Sequence, residues 1–131
     1  MQHFELSQLS LAPNTSPKNN KMLYFYEAKI LRVIDGDTVE IMLDLGFKVF
    51  RKETIRLAHI DTPELPTPEG TAAKLWLIDR LSKQEIWFID SLKHQKEKYG
   101  RYLGIIYAGV YDDISINQEM IEAHLAKRWP E

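Results

Sequence analysis

Residues 24–60 read YFYEAKILRVIDGDTVEIMLDLGFKVFRKETIRLAHI, and this stretch decides the fold. Tyr24 to Ile34 is rich in aromatic and β-branched side chains. Thr38 to Leu43 alternates in character, and Phe47 to Ile60 carries Val49, Ile55, Leu57 and Ile60. Runs of this kind suit a pleated, half-buried surface. Asp35-Gly36-Asp37 and Asp44-Leu45-Gly46 supply turns, so three consecutive strands in an antiparallel meander are predicted.

Beyond residue 60 the period changes. Ala73, Leu77, Ile78 and Leu81, with Leu75 and Trp76, form a broad apolar face at helical spacing, which predicts a helix over Thr71 to Lys83. Glu85 to Leu92 and Tyr102 to Tyr107 read as a fourth and a fifth strand. Ile116, Met120, Ile121 and Leu125 then mark one side of a second helix, capped by Asn117 or by Ser115 with Gln118. The predicted order, βββ-α-ββ-α, is mainly β with two helices (α+β). It is the layout of a five-stranded OB-fold barrel, a fold whose strand face and loops commonly bind oligonucleotides.

On the other side of the meander, Met1 to Lys21 is polar, rich in turn-formers and without period. A flexible tail is expected there, with the folded domain spanning residues 22–131. The whole chain has 131 residues, of which 44% are hydrophobic and 27% charged, a globular composition for one domain. The absence of cysteine excludes disulfides, thiolate zinc sites and cysteine nucleophiles. No apolar run approaches the roughly 18 residues of a membrane span, and the opening residues show no secretory signal, so no membrane partner is expected. A soluble protein follows, of unspecified compartment. The formal net charge of −2 argues weakly against binding a polyanion by bulk electrostatics, but a local patch can do what the average does not.

Three clusters carry chemistry. Asp35 and Asp37 flank Gly36 between two strands, a pattern that is also an ordinary hairpin turn. Arg56 sits between the apolar Ile55 and Leu57, and Asp61-Thr62-Pro63-Glu64 follows it; a two-residue period reconciles Arg56 with Asp61 only if Asp61 lies past the strand's end. Lys93 to Arg101 is a basic hairpin loop that includes Lys98 and Tyr99. Together, Asp37, Asp61 and Glu64 supply oxygen ligands and a possible base, while Arg56 and Arg101 supply planar cationic forks. Converging carboxylates need a cation, and oxygen-only ligands select calcium or magnesium. Arginines facing such an ion suit a phosphate. His59 in a strand, His124 on the apolar side of the last helix, and Trp76 and Trp87 read as core or boundary residues. Lys48, Arg51 and Lys52 read as a solvated strand face, with nucleic-acid contact as the lesser alternative, and Trp129 reads as packing, with a stacking surface as the lesser alternative.

Four segments in order, Val33 to Val39, Arg56 to Glu64, Lys98 to Arg101, and Ile116 to Glu119 with Leu125 to Lys127, resemble the staphylococcal nuclease (thermonuclease-like) family between about Tyr24 and Lys127. The resemblance implies an OB-fold and a calcium-dependent nuclease that cleaves the P–O5′ bond of single-stranded DNA or RNA and leaves 3′-phosphates. It implies one calcium ion bound by Asp37, Asp61 and the Thr62 carbonyl. Glu64 would be the general base or would position the water, and Arg56 and Arg101 would bind phosphate as catalytic groups. Lys98 and Tyr99 would contact substrate, and Asp35 would stand near the metal's waters. A monomer is expected. The loop after Glu64, Leu65 to Glu69, is short and proline-rich where the family has a long basic one, and the family's closing helix and base-stacking tyrosines have no counterpart. The alternative is a non-catalytic OB-fold module that binds nucleic acid or a protein, and the chain being a piece of a larger protein also stays open.

Overall fold

The computed structural model describes residues 23–96 and 100–130; the expected tail lies outside them. Strands β1 (Phe25–Asp35), β2 (Thr38–Asp44) and β3 (Phe50–Leu57) form the predicted meander, with antiparallel pairing throughout. Two short irregularities in β1, after Ile30 and after Val33, bend it so that it pairs with β2 on one side and with β5 (Trp87–Lys96) on the other. Strand β6 (Tyr102–Tyr107) pairs antiparallel with β5 and parallel with β3, which closes a five-stranded barrel in the order β1-β2-β3-β6-β5. Helices α1 (Pro68–Leu81) and α2 (Ile116–Glu122) complete it. The predicted fold is the observed one, a mainly β barrel with two helices. Among the described residues, no helix is long and apolar enough to cross a membrane.

The core follows from alternation. Val39 and Ile41 of β2, Ile55 and Leu57 of β3, Trp87 and Ile89 of β5 and Ile106 of β6 point inward and are buried. Helix α1 lays Ala73, Leu77 and Leu81 on this core, and α2 adds Ile116 and Met120. The indole N–H of Trp87 donates to the carbonyls of Leu81 and Gln84, both at 3.2 Å, so its polar edge is satisfied where helix meets barrel. Arg80 spans the two helices, gripping Glu119 through Nε–Oε1 at 2.8 Å and Nη2–Oε2 at 3.1 Å.

Several boundaries differ from the sequence reading. Helix α1 begins three residues before Thr71, because Thr67 caps it by accepting the Gly70 amide and Pro68 opens it. Of the two caps considered for α2, Ser115 is the one used, its hydroxyl accepting the Gln118 N–H. That helix ends at Glu122, so His124 and Leu125 lie beyond it, with His124 in the left-handed region (φ 61°). The β2–β3 turn is not at Asp44-Leu45-Gly46 but centred on Phe47 and Lys48. Strand β3 stops at Leu57, and two short strands, β4 (Ile60–Asp61) and β7 (Lys127–Arg128), pair as a separate ladder.

Candidate active site

The β1–β2 turn, the exit from β3 and the start of β6 meet at one end of the barrel around a pocket of about 490 Å³. Asp35, Asp37, Arg56, Asp61, Thr62, Glu64 and Arg101 all line it. The structure thus brings together every described residue of the expected site, while Lys98 and Tyr99 lie outside the described residues.

The turn is anchored first. Asp35 Oδ1 accepts the Asp37 N–H at 3.1 Å, and the Asp37 carbonyl accepts the Leu57 N–H at 2.7 Å. Gly36 is required by close approach: a β-carbon there would stand 2.8 Å from both the Ala73 Cβ and the Thr62 hydroxyl. The Asp37 carboxylate is almost wholly buried. Its Oδ2 accepts the Thr62 N–H at 3.1 Å, and its Oδ1 accepts the Thr38 hydroxyl at 3.2 Å. Burial, reinforced by the neighbouring Asp37 carboxylate, pushes the Asp35 carboxyl above its ordinary range.

Arg56 stands at the centre. Its Nη1 donates to the carbonyls of Leu57 (2.6 Å) and Ile60 (2.9 Å). Its Nη2 lies 3.3 Å from Asp37 Oδ2 and 3.3 Å from Asp61 Oδ1. The parity problem is solved by a turn: Ala58 and His59 interrupt the strand, His59 has φ 67°, and Asp61 sits in β4 beyond the end of β3. Asn117 of α2 holds that turn. Its Nδ2 donates to the Ala58 and Gly104 carbonyls (2.9 and 3.2 Å), and its Oδ1 accepts the Ile106 N–H at 3.1 Å.

Arg101 occupies the other wall and donates from Nη1 to the Thr38 hydroxyl at 3.2 Å. Thr38 therefore links the two charged walls, accepting from Arg101 and donating to Asp37. Glu64 is exposed at the rim, with its carbonyl accepting the Thr67 N–H at 3.1 Å. Gly70 lets α1 start beneath it: a β-carbon there would fall 2.3 Å from the Glu64 carbonyl oxygen.

Sequence reading missed three contributors. Thr38 and Asn117 lay within recognised segments but were read as a strand residue and a possible cap. His59 is neither a strand residue nor core: it is exposed on the pocket wall, and its carbonyl accepts the Trp129 N–H at 3.0 Å. Trp129, read as packing or as a stacking surface, lines the pocket as well and is 53% exposed.

Among the described residues no group of three or more His, Cys, Asp or Glu side chains could hold a metal ion. The expected donors are two carboxylates and one carbonyl. The two carboxylate oxygens share one arginine nitrogen, so they lie no further apart than twice 3.3 Å. Opposite oxygen ligands of calcium stand about 5 Å apart, a separation this bound allows, and two carboxylates with a carbonyl have the oxygen-only chemistry of a hard-cation donor set.

The family model described as staphylococcal nuclease homologue matches residues 54–130. The chain is 32% identical over 85 residues to a micrococcal nuclease of Shigella flexneri, covering 63% of this chain and 43% of that protein. It is 34% identical over 99 residues to an uncharacterized endonuclease of Escherichia coli (75% and 58%), and 30% identical over 105 residues to a thermonuclease of Staphylococcus hyicus (76% and 54%). The chain spans about half the length of these curated relatives.

Proposed function

The chain belongs to the staphylococcal nuclease homologue family, and from that membership together with the pocket we propose that it hydrolyses phosphodiester bonds in nucleic acid. The observation that carries this reading is the single guanidinium nitrogen of Arg56 held 3.3 Å from both Asp37 and Asp61, in a pocket that also contains Glu64 and Arg101. A buried carboxylate, Asp37, and a partly exposed one, Asp61, beside arginines in a pocket open to solvent suit an anion and a cation bound together.

In this reading Asp37, Asp61 and the Thr62 carbonyl would hold one calcium ion. Calcium, when bound, neutralises the acids and polarises a phosphoryl oxygen. Arg56 keeps its charge at the pocket through two backbone carbonyls, whatever Nη2 engages. Arg101, steered by Thr38, faces the same phosphate from the other wall. As water's oxygen bonds to phosphorus, Glu64 takes its proton. The P–O5′ bond then breaks, the 5′ oxygen leaves as a hydroxyl by taking a proton from solvent, and the phosphate stays on the 3′ side. Fixed guanidinium charges stabilise the added negative charge without reorganising, commonly the largest catalytic contribution. Lys98 and Tyr99 complete the substrate contacts, single strands are the preferred substrate, and the protein acts as a monomer.

The test is digestion of single-stranded DNA with calcium or with a chelator, followed by analysis of product ends. Cleavage only with calcium, leaving 3′-phosphates, is expected, and Glu64→Gln should slow it about a hundredfold or more. Equal rates with chelator would refute the metal's role. Binding of oligonucleotides without any cleavage would leave the non-catalytic module as the answer.

A further inference from the structure

The far end of the β2–β3 hairpin carries an unusual tip. Val49 N–H donates to the Gly46 carbonyl at 2.9 Å, and the two central residues are Phe47 (φ 56°) and Lys48 (φ 60°). A two-residue turn with both centres left-handed normally uses Asn-Gly. A phenylalanine there is strained, and it buries nothing in return, being 100% exposed. Around it, Val49 and Phe50 are 50% and 60% exposed.

The tip joins the pocket through the strand. The β2–β3 register runs unbroken from Asp44↔Phe50 to Thr38↔Arg56. In a strand alternate residues share a face. Ile55 and Leu57 point into the core, so Phe50, Lys52, Thr54 and Arg56 form the outward row. Six residues at about 3.4 Å each separate Phe50 from Arg56 by roughly 20 Å. Among the described residues neither Lys48 nor Lys52 forms an ion pair, whereas Arg51 is paired with Glu53 on the opposite face. The acids beside the row are engaged: Glu40 with Arg32 at 3.8 Å, and Asp44 Oδ1 as acceptor of the Gly46 N–H at 2.8 Å.

We infer that the outward face of β3 and the hairpin tip form a track for single-stranded nucleic acid leading to the pocket. Lys52 and Lys48 meet backbone phosphates, and Phe50 and Phe47 stack on bases. Aromatic platforms interleaved with cations are how sequence-tolerant single-strand binding works, and a run of this length suits the lower end of OB-fold site sizes, about four nucleotides. The charge complementarity is local, since the chain as a whole carries −2. This track rests on the reading of the pocket as a phosphodiesterase. It adds that substrates reaching several nucleotides to one side of the scissile bond are favoured over dinucleotides.

The test measures binding by fluorescence anisotropy with a labelled single strand of about ten nucleotides, in chelator, and cleavage of that strand and of a dinucleoside monophosphate, in calcium. Lys52→Ala with Phe50→Ala should weaken ten-mer binding about tenfold and leave dinucleotide cleavage unchanged. Lys52→Ala alone should flatten the slope of log affinity against log salt by about 0.7. Phe47→Asn is the most diagnostic variant. Asparagine tolerates φ near +57° better than phenylalanine, so the protein should melt at a higher temperature and yet bind the ten-mer more weakly. Unchanged ten-mer binding in these variants overturns the track. Retained oligonucleotide binding with lost sedimentation on phosphatidylserine vesicles overturns it in favour of a membrane contact. A wild type that cuts both substrates equally well refutes the track alone, whereas one that cuts neither refutes the phosphodiesterase reading.

Discussion

Replacing Asn117 by alanine strikes the side chain that ties α2 to the turn carrying the pocket. Three hydrogen bonds are lost at once: two donated by Nδ2 to the Ala58 and Gly104 carbonyls, and one accepted from the Ile106 amide. Asn117 is 4% exposed, so water does not replace them readily. At about 1 kcal/mol net for each bond, the loss should come to roughly 3 kcal/mol, with the orphaned Ile106 N–H adding to it. That is a large share of the 5–15 kcal/mol typical of a folded domain. It should lower the melting midpoint by about 10 °C. Urea denaturation followed by circular dichroism measures the free energy directly. Asn117→Asp separates hydrogen bonding from packing, because an ionised carboxylate keeps the volume and can accept from Ile106 but cannot donate to the two carbonyls. If either variant loses less than about 1 kcal/mol, the three bonds do not hold the turn and the reasoning fails.

Two further perturbations test other joints. Gly70→Ala would ordinarily stabilise a helix by up to about 1 kcal/mol, but here the new β-carbon meets the Glu64 carbonyl at 2.3 Å; a net loss of about 1–3 kcal/mol by thermal melting is expected, together with slower DNA digestion, and a gain in stability would contradict the close approach. Arg80→Lys gives up the two-pronged grip on Glu119 and should cost about 1 kcal/mol in urea denaturation. Combined with Glu119→Gln it should cost less than the sum of the two single changes, and strict additivity would show that the pair does not interact.

The barrel was legible because its signal is repeated: alternation in Thr38 to Leu43 and the helical spacing of Ala73, Leu77 and Leu81 each point to a buried face that the structure possesses. The turns were less so. Asp44-Leu45-Gly46 looks like a turn by composition, but the register of β2 on β3 moves the reversal to Phe47 and Lys48, residues that no propensity favours there. The start of α1 was hidden because Thr67-Pro68 reads equally as loop and as cap and first turn. Within the site, the acids and arginines announced themselves by chemistry. Thr38 and Asn117 did not, since their work is to orient other groups, and a threonine in a strand or an asparagine near a helix start looks ordinary until the partners 63 and 59 residues away are in place.

The same alternation that builds the core also assembles the pocket. In β3, Ile55 and Leu57 are buried inward while Arg56 between them faces the pocket; in β2, Val39 is buried inward beside Thr38, which links Asp37 to Arg101. The pairs Thr38↔Arg56 and Val39↔Ile55 are adjacent rungs of one ladder. A slip of one residue between these strands would put an apolar side chain in the pocket and a charged one in the core together. The several kcal/mol that such a slip costs in burial therefore guards the position of the guanidinium as well. Precision at the pocket comes from the hydrophobic packing behind it. Where the chain leaves the barrel with His59 and Glu64 exposed, the Ala58-His59 turn is held by Asn117 and the Glu64 loop by the close approach that the missing β-carbon of Gly70 permits.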